Sequence, residues 1–119
     1  MRFQDLLAYK KSFELSMMIF VISKKFPSEE KYSLTDQIRR SSRSVSANIA
    51  EATRKRRYEK HFVSKLTDSD SENAETQVWL EYALACKYIE NEEFNLLTEK
   101  SIEVGKLLNY MMNNLNKFL

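Results

Sequence analysis

The residues best suited to chemistry in this chain lie between Arg54 and His61. Arg54, Lys55, Arg56, Arg57 and Lys60 put five cations on one short segment, with Tyr58 among them. Cations at that density neutralise phosphates, and a tyrosine ring beside them can stack on a base. Four residues separate Arg56 from His61. An arginine holding a phosphate and an imidazole moving a proton are the parts of a phosphodiester-cleaving site. The chain has one histidine, so such a site needs two copies. In so arginine-rich a segment the spacing arises readily by chance, and His61 reads as a solvent-exposed side chain.

Metal chemistry fits poorly. A single histidine excludes the paired Glu-x-x-His motifs of di-iron bundles. Asp68, Asp70 and Glu72 begin like a calcium loop, but the sixth position is Asn73 rather than Gly and the twelfth is Trp79 rather than Glu. A single cysteine, Cys86, excludes an intramolecular disulfide and a thiolate zinc site within one subunit. Its apolar neighbours make it read as a small buried hydrophobe. No catalytic residue, metal, cofactor or small-molecule substrate is expected.

The elements that position these residues are helical. The chain has 119 residues, 43% of them apolar and 30% charged, with Gly105 the only glycine and Pro27 the only proline. Such scarce punctuation disfavours hairpin-rich sheets and phosphate-cradling loops. The longest apolar run, Met17 to Ile22, is too short to span a bilayer and too deep for a secretory signal. A single cytoplasmic domain, residues 1–119, is expected.

Periodicity predicts four helices. The first runs from about Asp5 to Lys25, with Phe3, Leu6, Phe13, Met17 and Phe20 inward and Leu15, Ile19 and Ile22 widening the stripe. It stops at Phe26-Pro27, since a residue before proline is pushed out of helical geometry. The second, Leu34 to about Arg54, opens on a Ser33…Asp36 capping-box pattern and buries Leu34, Ile38, Val45, Ile49 and Ala52. A turn near Arg54–Tyr58 leads to a third helix from Glu59 to about Glu90. Asn91, with Glu92 and Glu93, caps a fourth, in which Phe94, Leu97, Val104, Leu108, Met111, Leu115 and Phe118 form a seam interrupted at Ser101. The fold class is therefore all-α, an up-down four-helix bundle.

Two helices carry polar residues where a core is expected. On the second, Gln37, Arg40, Ser44, Asn48 and Glu51 recur at helical spacing. On the third, Ser69, Asn73 and Thr76 lie on the inward track with Gln77 beside them. Facing each other or a neighbouring copy, these stripes would form a hydrogen-bonded network that fixes register. Charge is also segregated. Residues 39–65 hold nine cations against Glu51 and Glu59, and residues 66–93 hold eight carboxylates against Lys87. The whole chain is only +2, which favours mutual neutralisation over a strongly basic nucleic-acid domain.

Residues 26–52, FPSEEKYSLTDQIRRSSRSVSANIAEA, resemble the signature of the four-helix-bundle proteins encoded in 23S rRNA intervening sequences. The matching marks are Phe26-Pro27, Glu30, Tyr32, Leu34, Gln37, Arg39-Arg40, Ser44, Asn48-Ile49-Ala50 and Glu51. Phe62, Leu66, Glu75-Thr76-Gln77 and the closing seam extend the resemblance over nearly the whole chain. The family usually places Gly after that Glu; Ala52 stands here, which predicts a longer helix. DSDSENA, at 68–74, replaces a small-residue stretch.

The resemblance implies a four-helix subunit in a homopentameric ring, with no enzymatic activity established for the family. Members are also similar to a basic pentameric accessory protein of diversity-generating retroelements that engages nucleic acid. Arg56 and His61 are similar in spacing to HEPN-type helical ribonucleases, the weakest of the functional readings. The leading expectation is a non-catalytic, homo-oligomeric scaffold. The second is an RNA- or DNA-binding accessory protein that uses a basic collar at Arg54, Lys55, Arg56, Arg57, Tyr58 and Lys60.

Overall fold

The computed structural model describes residues 1–119. It contains α1 (Leu7–Ser23), α2 (Leu34–Arg54), α3 (Glu59–Ala85) and α4 (Asn91–Asn113), three single 3-10 turns and no strand. Each helix packs on two others in the cyclic order α1, α2, α3, α4, and the α2–α3 pairing is the most extensive. The result is the expected up-down bundle, 44 × 25 × 19 Å. Its long axis fits α3, whose 27 residues span about 40 Å at ~1.5 Å per residue.

The second helix has the bounds expected of it, and it passes through Ala52, which is fully buried. The other helices differ from expectation at their ends. Phe3–Asp5 forms a separate 3-10 turn, and α1 begins only after Leu6, whose backbone is extended. The Ser33…Asp36 capping box does not form. Ser33 instead donates to Glu30 Oε1 at 2.6 Å, and the same oxygen accepts from the Leu34 N–H at 3.3 Å. A carboxylate from the preceding turn therefore does the capping.

The third helix ends five residues before the expected Glu90. Lys87 adopts φ 64°, the Lys87 N–H donates to the Leu84 carbonyl, and the Tyr88 N–H donates to the Ala83 carbonyl. This is a Schellman stop with lysine where glycine is usual. Cys86 consequently sits at the helix end and is exposed, not buried as the apolar surroundings suggest. Glu90, rather than Asn91, caps α4 through a reciprocal box with Glu93.

The inward face of α1 also differs. Phe13 and Met17 are about half exposed, and the buried track is Ala8, Ser12, Leu15, Ser16, Ile19 and Ser23. Two overlapping stripes compete on this helix. The one with three serines wins because small side chains let α2 approach closely, which leaves the bulkier stripe outside.

The core is divided lengthwise. One cluster joins Leu6, Val45, Ile49, Phe62, Leu66, Val104 and Leu108, and the other joins Leu15, Ile19, Phe26, Ile38, Leu80 and Leu97. Between them every helix contributes buried polar residues: Ser12 and Ser16, Ser41 and Ser42, Ser69, Asn73 and Thr76, and Ser101. The Ser41 and Thr76 hydroxyls lie 2.9 Å apart, and the Ser69 hydroxyl donates to the Val45 carbonyl at 2.8 Å. Asn73 Nδ2 donates to the Ser101 carbonyl at 2.8 Å, and Ser101 Oγ donates to Asn73 Oδ1 at 2.9 Å. Gln77 Nε2 also donates to Ser101 Oγ at 2.9 Å. Sliding one helix by a turn would strand these groups without partners, so the belt fixes helix register.

At the α3–α4 turn, the Tyr88 hydroxyl donates to Glu30 Oε2 at 2.8 Å. The Ser33 hydroxyl, and after it Tyr88, hold the Glu30 carboxyl below its ordinary value. That carboxylate in turn pushes Tyr88 up to about 12. A tyrosine raised in the folded state binds its proton more tightly than in the unfolded chain. Its contribution is complete below the unfolded value of ~10 and is lost as pH rises through about 12. Tyrosinate absorbance should resolve Tyr88 as a late-titrating group, and Tyr88→Phe should flatten the decline in stability over that alkaline interval. A Tyr88 that titrates with the exposed tyrosines would contradict the assignment.

Candidate functional site

The basic segment forms the α2–α3 corner at one end of the bundle. Arg54, Lys55, Arg57, Tyr58 and Lys60 are exposed, and Arg56 is half buried with Nε donating to the Thr53 carbonyl at 3.1 Å. No collar cation forms an ion pair within the subunit. The Tyr58 and His61 rings lie 5.6 Å apart, centre to centre. His61 is exposed, and the Arg56 Nε–H faces its own helix end.

The polar stripe of α2 is not the partner of the α3 belt. Gln37 is half buried and lies in a cleft beside Trp79. Arg40 reaches Glu75 at 3.0 Å and Glu72 at 4.0 Å. Asn48 Nδ2 donates to the Ser44 carbonyl at 2.9 Å and to its hydroxyl at 3.1 Å. Glu51 pairs with Lys65 at 2.8 Å, an interaction that raises the lysine above its ordinary value. Asn73, Thr76 and Gln77 pair instead with Ser41 and Ser101. The stripe lies about 100° round the helix from the buried track, so it flanks the α2–α3 seam. Sequence periodicity signalled the belt residues of α3 and α4, but not Ser41 as their partner on α2.

Charge pairing within the subunit is sparse. Of the nine cations between Arg39 and Lys65, only Arg40 and Lys65 form ion pairs. Burial, and then the neighbouring Glu75 carboxylate, raises Glu72 above its ordinary value. Its Oε2 has no hydrogen-bond partner. Across α1 and α4, Lys11–Glu103, Lys100–Glu14 and Lys25–Glu93 make three bridges at 3.4, 3.2 and 2.6 Å. Glu93 is held below its ordinary value by the Glu90 N–H and next by Lys25.

The α1–α4 bridges frame an open apolar groove. Phe13, Met17 and Val21 form its α1 wall and Leu96 its α4 wall, with Leu97 at its base, enclosing about 770 Å³. Phe13, Met17, Val21 and Leu96 are 47–62% exposed. Periodicity signalled Phe13 and Met17 as apolar and assigned them to the core. No group of three or more His, Cys, Asp or Glu side chains is placed to hold a metal. No helix is long and apolar enough to cross a membrane.

Fold and surface together define a small all-α bundle with a polar mid-core belt, a cationic corner and an uncovered apolar groove. The chain belongs to the 23S rRNA-intervening sequence protein family, whose model matches residues 4–110. Among solved structures it is similar to a protein of unknown function from the S23 ribosomal protein family of Bacteroides thetaiotaomicron. The TM-score is 0.80 at 30% identity, over 90% of this chain and 96% of that one. Comparison with curated proteins finds no match.

Proposed function

We propose that this protein is a non-catalytic scaffold that assembles from copies of itself, with the homopentameric ring as its closed form. The observation that carries this reading is the α1–α4 groove. Large apolar side chains exposed side by side cost solvation free energy that a second copy would recover. The groove is also rimmed by both signs of charge, from Lys25, Glu93, Glu14 and Lys100, so copies can meet without net repulsion.

Sedimentation of the wild type should give a mass that is a multiple of 14.1 kDa. Met17→Glu with Val21→Glu places carboxylates in the groove, away from the buried core, and should raise the dissociation constant at least tenfold, about 1.4 kcal/mol. A wild type that sediments as one subunit would overturn the proposal, as would a double variant that assembles normally.

A second reading, nucleic-acid binding by the collar, is favoured by one feature. Arg54, Lys55, Arg56, Arg57 and Lys60 have no carboxylate partner in the subunit, which leaves their charge available to phosphates.

A further inference from the structure

The two surface depressions on either side of Tyr32 complement each other chemically. The first, about 510 Å³, is lined by Lys31, Arg39, Arg40 and Arg43, with Asp36 its one carboxylate. Arg40 is turned toward Glu75, but Lys31, Arg39 and Arg43 have no acidic partner. Two of these cations are held in place rather than free to wander. The guanidinium carbons of Arg39 and Arg43 lie 4.8 and 5.6 Å from the centre of the Phe20 ring. Arg39 Nε also donates to Ser23 Oγ at 2.8 Å. Such anchoring reduces the side-chain entropy lost when an anion binds.

The second depression, about 530 Å³, lies over the α2–α3 seam and presents Trp79, Tyr82 and Gln37, with Glu30 at its edge. The Trp79 and Tyr82 rings are 5.8 Å apart. The Gln37 side chain makes no hydrogen bond within the subunit, so both its donor and its acceptor are available. Tyr32 belongs to both depressions and is 84% exposed. Lys31 Nζ lies 5.3 Å from the centre of that ring, so the exposed aromatic joins the cationic pocket to the aromatic cleft.

We propose that this surface binds single-stranded nucleic acid, the cationic pocket taking backbone phosphates and the Tyr32–Trp79–Tyr82 cleft taking a base. Stacking platforms beside a basic track are the two parts such binding requires. An acidic peptide would need the cations but not the ring faces, and a duplex keeps its bases stacked on each other, away from the cleft. The surface is separate from the collar at the far end of α2. It also shares no residue with the α1–α4 groove.

Trp79 is the only tryptophan, so its fluorescence reports on the cleft directly. Titration with oligouridylate or oligothymidylate should give saturable quenching. Tyr32→Ala with Tyr82→Ala should weaken binding about tenfold or more, since each stacked base contributes ~1–3 kcal/mol. Lys31→Ser with Arg43→Ser should lower the slope of log affinity against log salt by about 1.4, at ~0.7 per phosphate lost from a single strand. Lys106→Ser, an exposed cation on α4 outside both depressions and the collar, should leave the quenching unchanged, and all three variants should keep the wild-type circular dichroism and sedimenting mass. Absence of quenching would overturn the proposal, as would equal affinity for a duplex or equal competition by polyglutamate. Loss of binding in Arg54→Ser with Arg57→Ser but not in the Tyr32/Tyr82 or Lys31/Arg43 variants would also overturn it and assign the activity to the collar. Because mass is measured separately, failure here is distinguishable from failure of self-assembly.

Discussion

Asn73→Leu is expected to lower the free energy of unfolding by about 2–4 kcal/mol, although leucine fills nearly the same volume. Asn73 donates to the Ser101 carbonyl and accepts from the Ser101 hydroxyl, and both residues are buried. Leucine leaves the Ser101 groups with fewer partners where water cannot replace them. Ser101→Ala is expected to cost a similar amount, because it strands the Asn73 carbonyl oxygen and the Gln77 amide. The double variant should cost less than the sum of the two, with a coupling of about 1–3 kcal/mol, since removing both partners leaves neither the Asn73 carbonyl oxygen nor the Ser101 hydroxyl without its mate. Urea unfolding followed by circular dichroism, at one fixed protein concentration, measures the cycle. Additive losses would show that the belt acts as independent contacts and not as a network.

Phe62→Ala is the most damaging single truncation expected, at about 3–5 kcal/mol. The ring is completely buried in the first turn of α3, in the cluster that also holds Val45, Ile49, Leu66, Val104 and Leu108. It therefore ties α3 to α2 and α4 immediately after the cationic corner. Losing it removes about 2–3 kcal/mol of burial and adds the cost of a cavity that three packed helices cannot fully close. The same denaturation measurement reads the loss. A change below about 1 kcal/mol, within the range of ordinary surface substitutions, would mean that this end of the bundle repacks freely.

These two sites show how the interior governs the surface. The belt sets the level of each helix against its neighbours, and the Phe62 cluster locks the end from which the collar projects. With register fixed, the apolar groove between α1 and α4 and the cationic and aromatic depressions on α2 and α3 keep constant positions. A self-assembling scaffold needs such constancy, because the same patch must meet its complement on every copy.

Much of this was legible in the amino acids. Scarce glycine and proline, Pro27 after Phe26, and the 3-4 spacing of Leu34, Ile38, Val45, Ile49 and Ala52 determined an all-α chain and the bounds of its second helix. Ser69, Asn73, Thr76 and Ser101 interrupted apolar tracks and so marked a polar level in the core. These features were readable because each depends on local geometry, on helical repeat and on proline's fixed backbone.

Tertiary packing decided the rest. Lys87 takes a left-handed conformation that no glycine announces, and with it come the early end of α3 and the exposure of Cys86. Which stripe of α1 turns inward depended on how closely α2 could approach, so Phe13 and Met17 moved from expected core to groove wall. Ser41, and not its neighbour Arg40, met Thr76 because a step of one residue turns a side chain about 100° round the helix. A sequence records which side chains can bury or bond; only the assembled helices, competing for a single interior, determine which of them do.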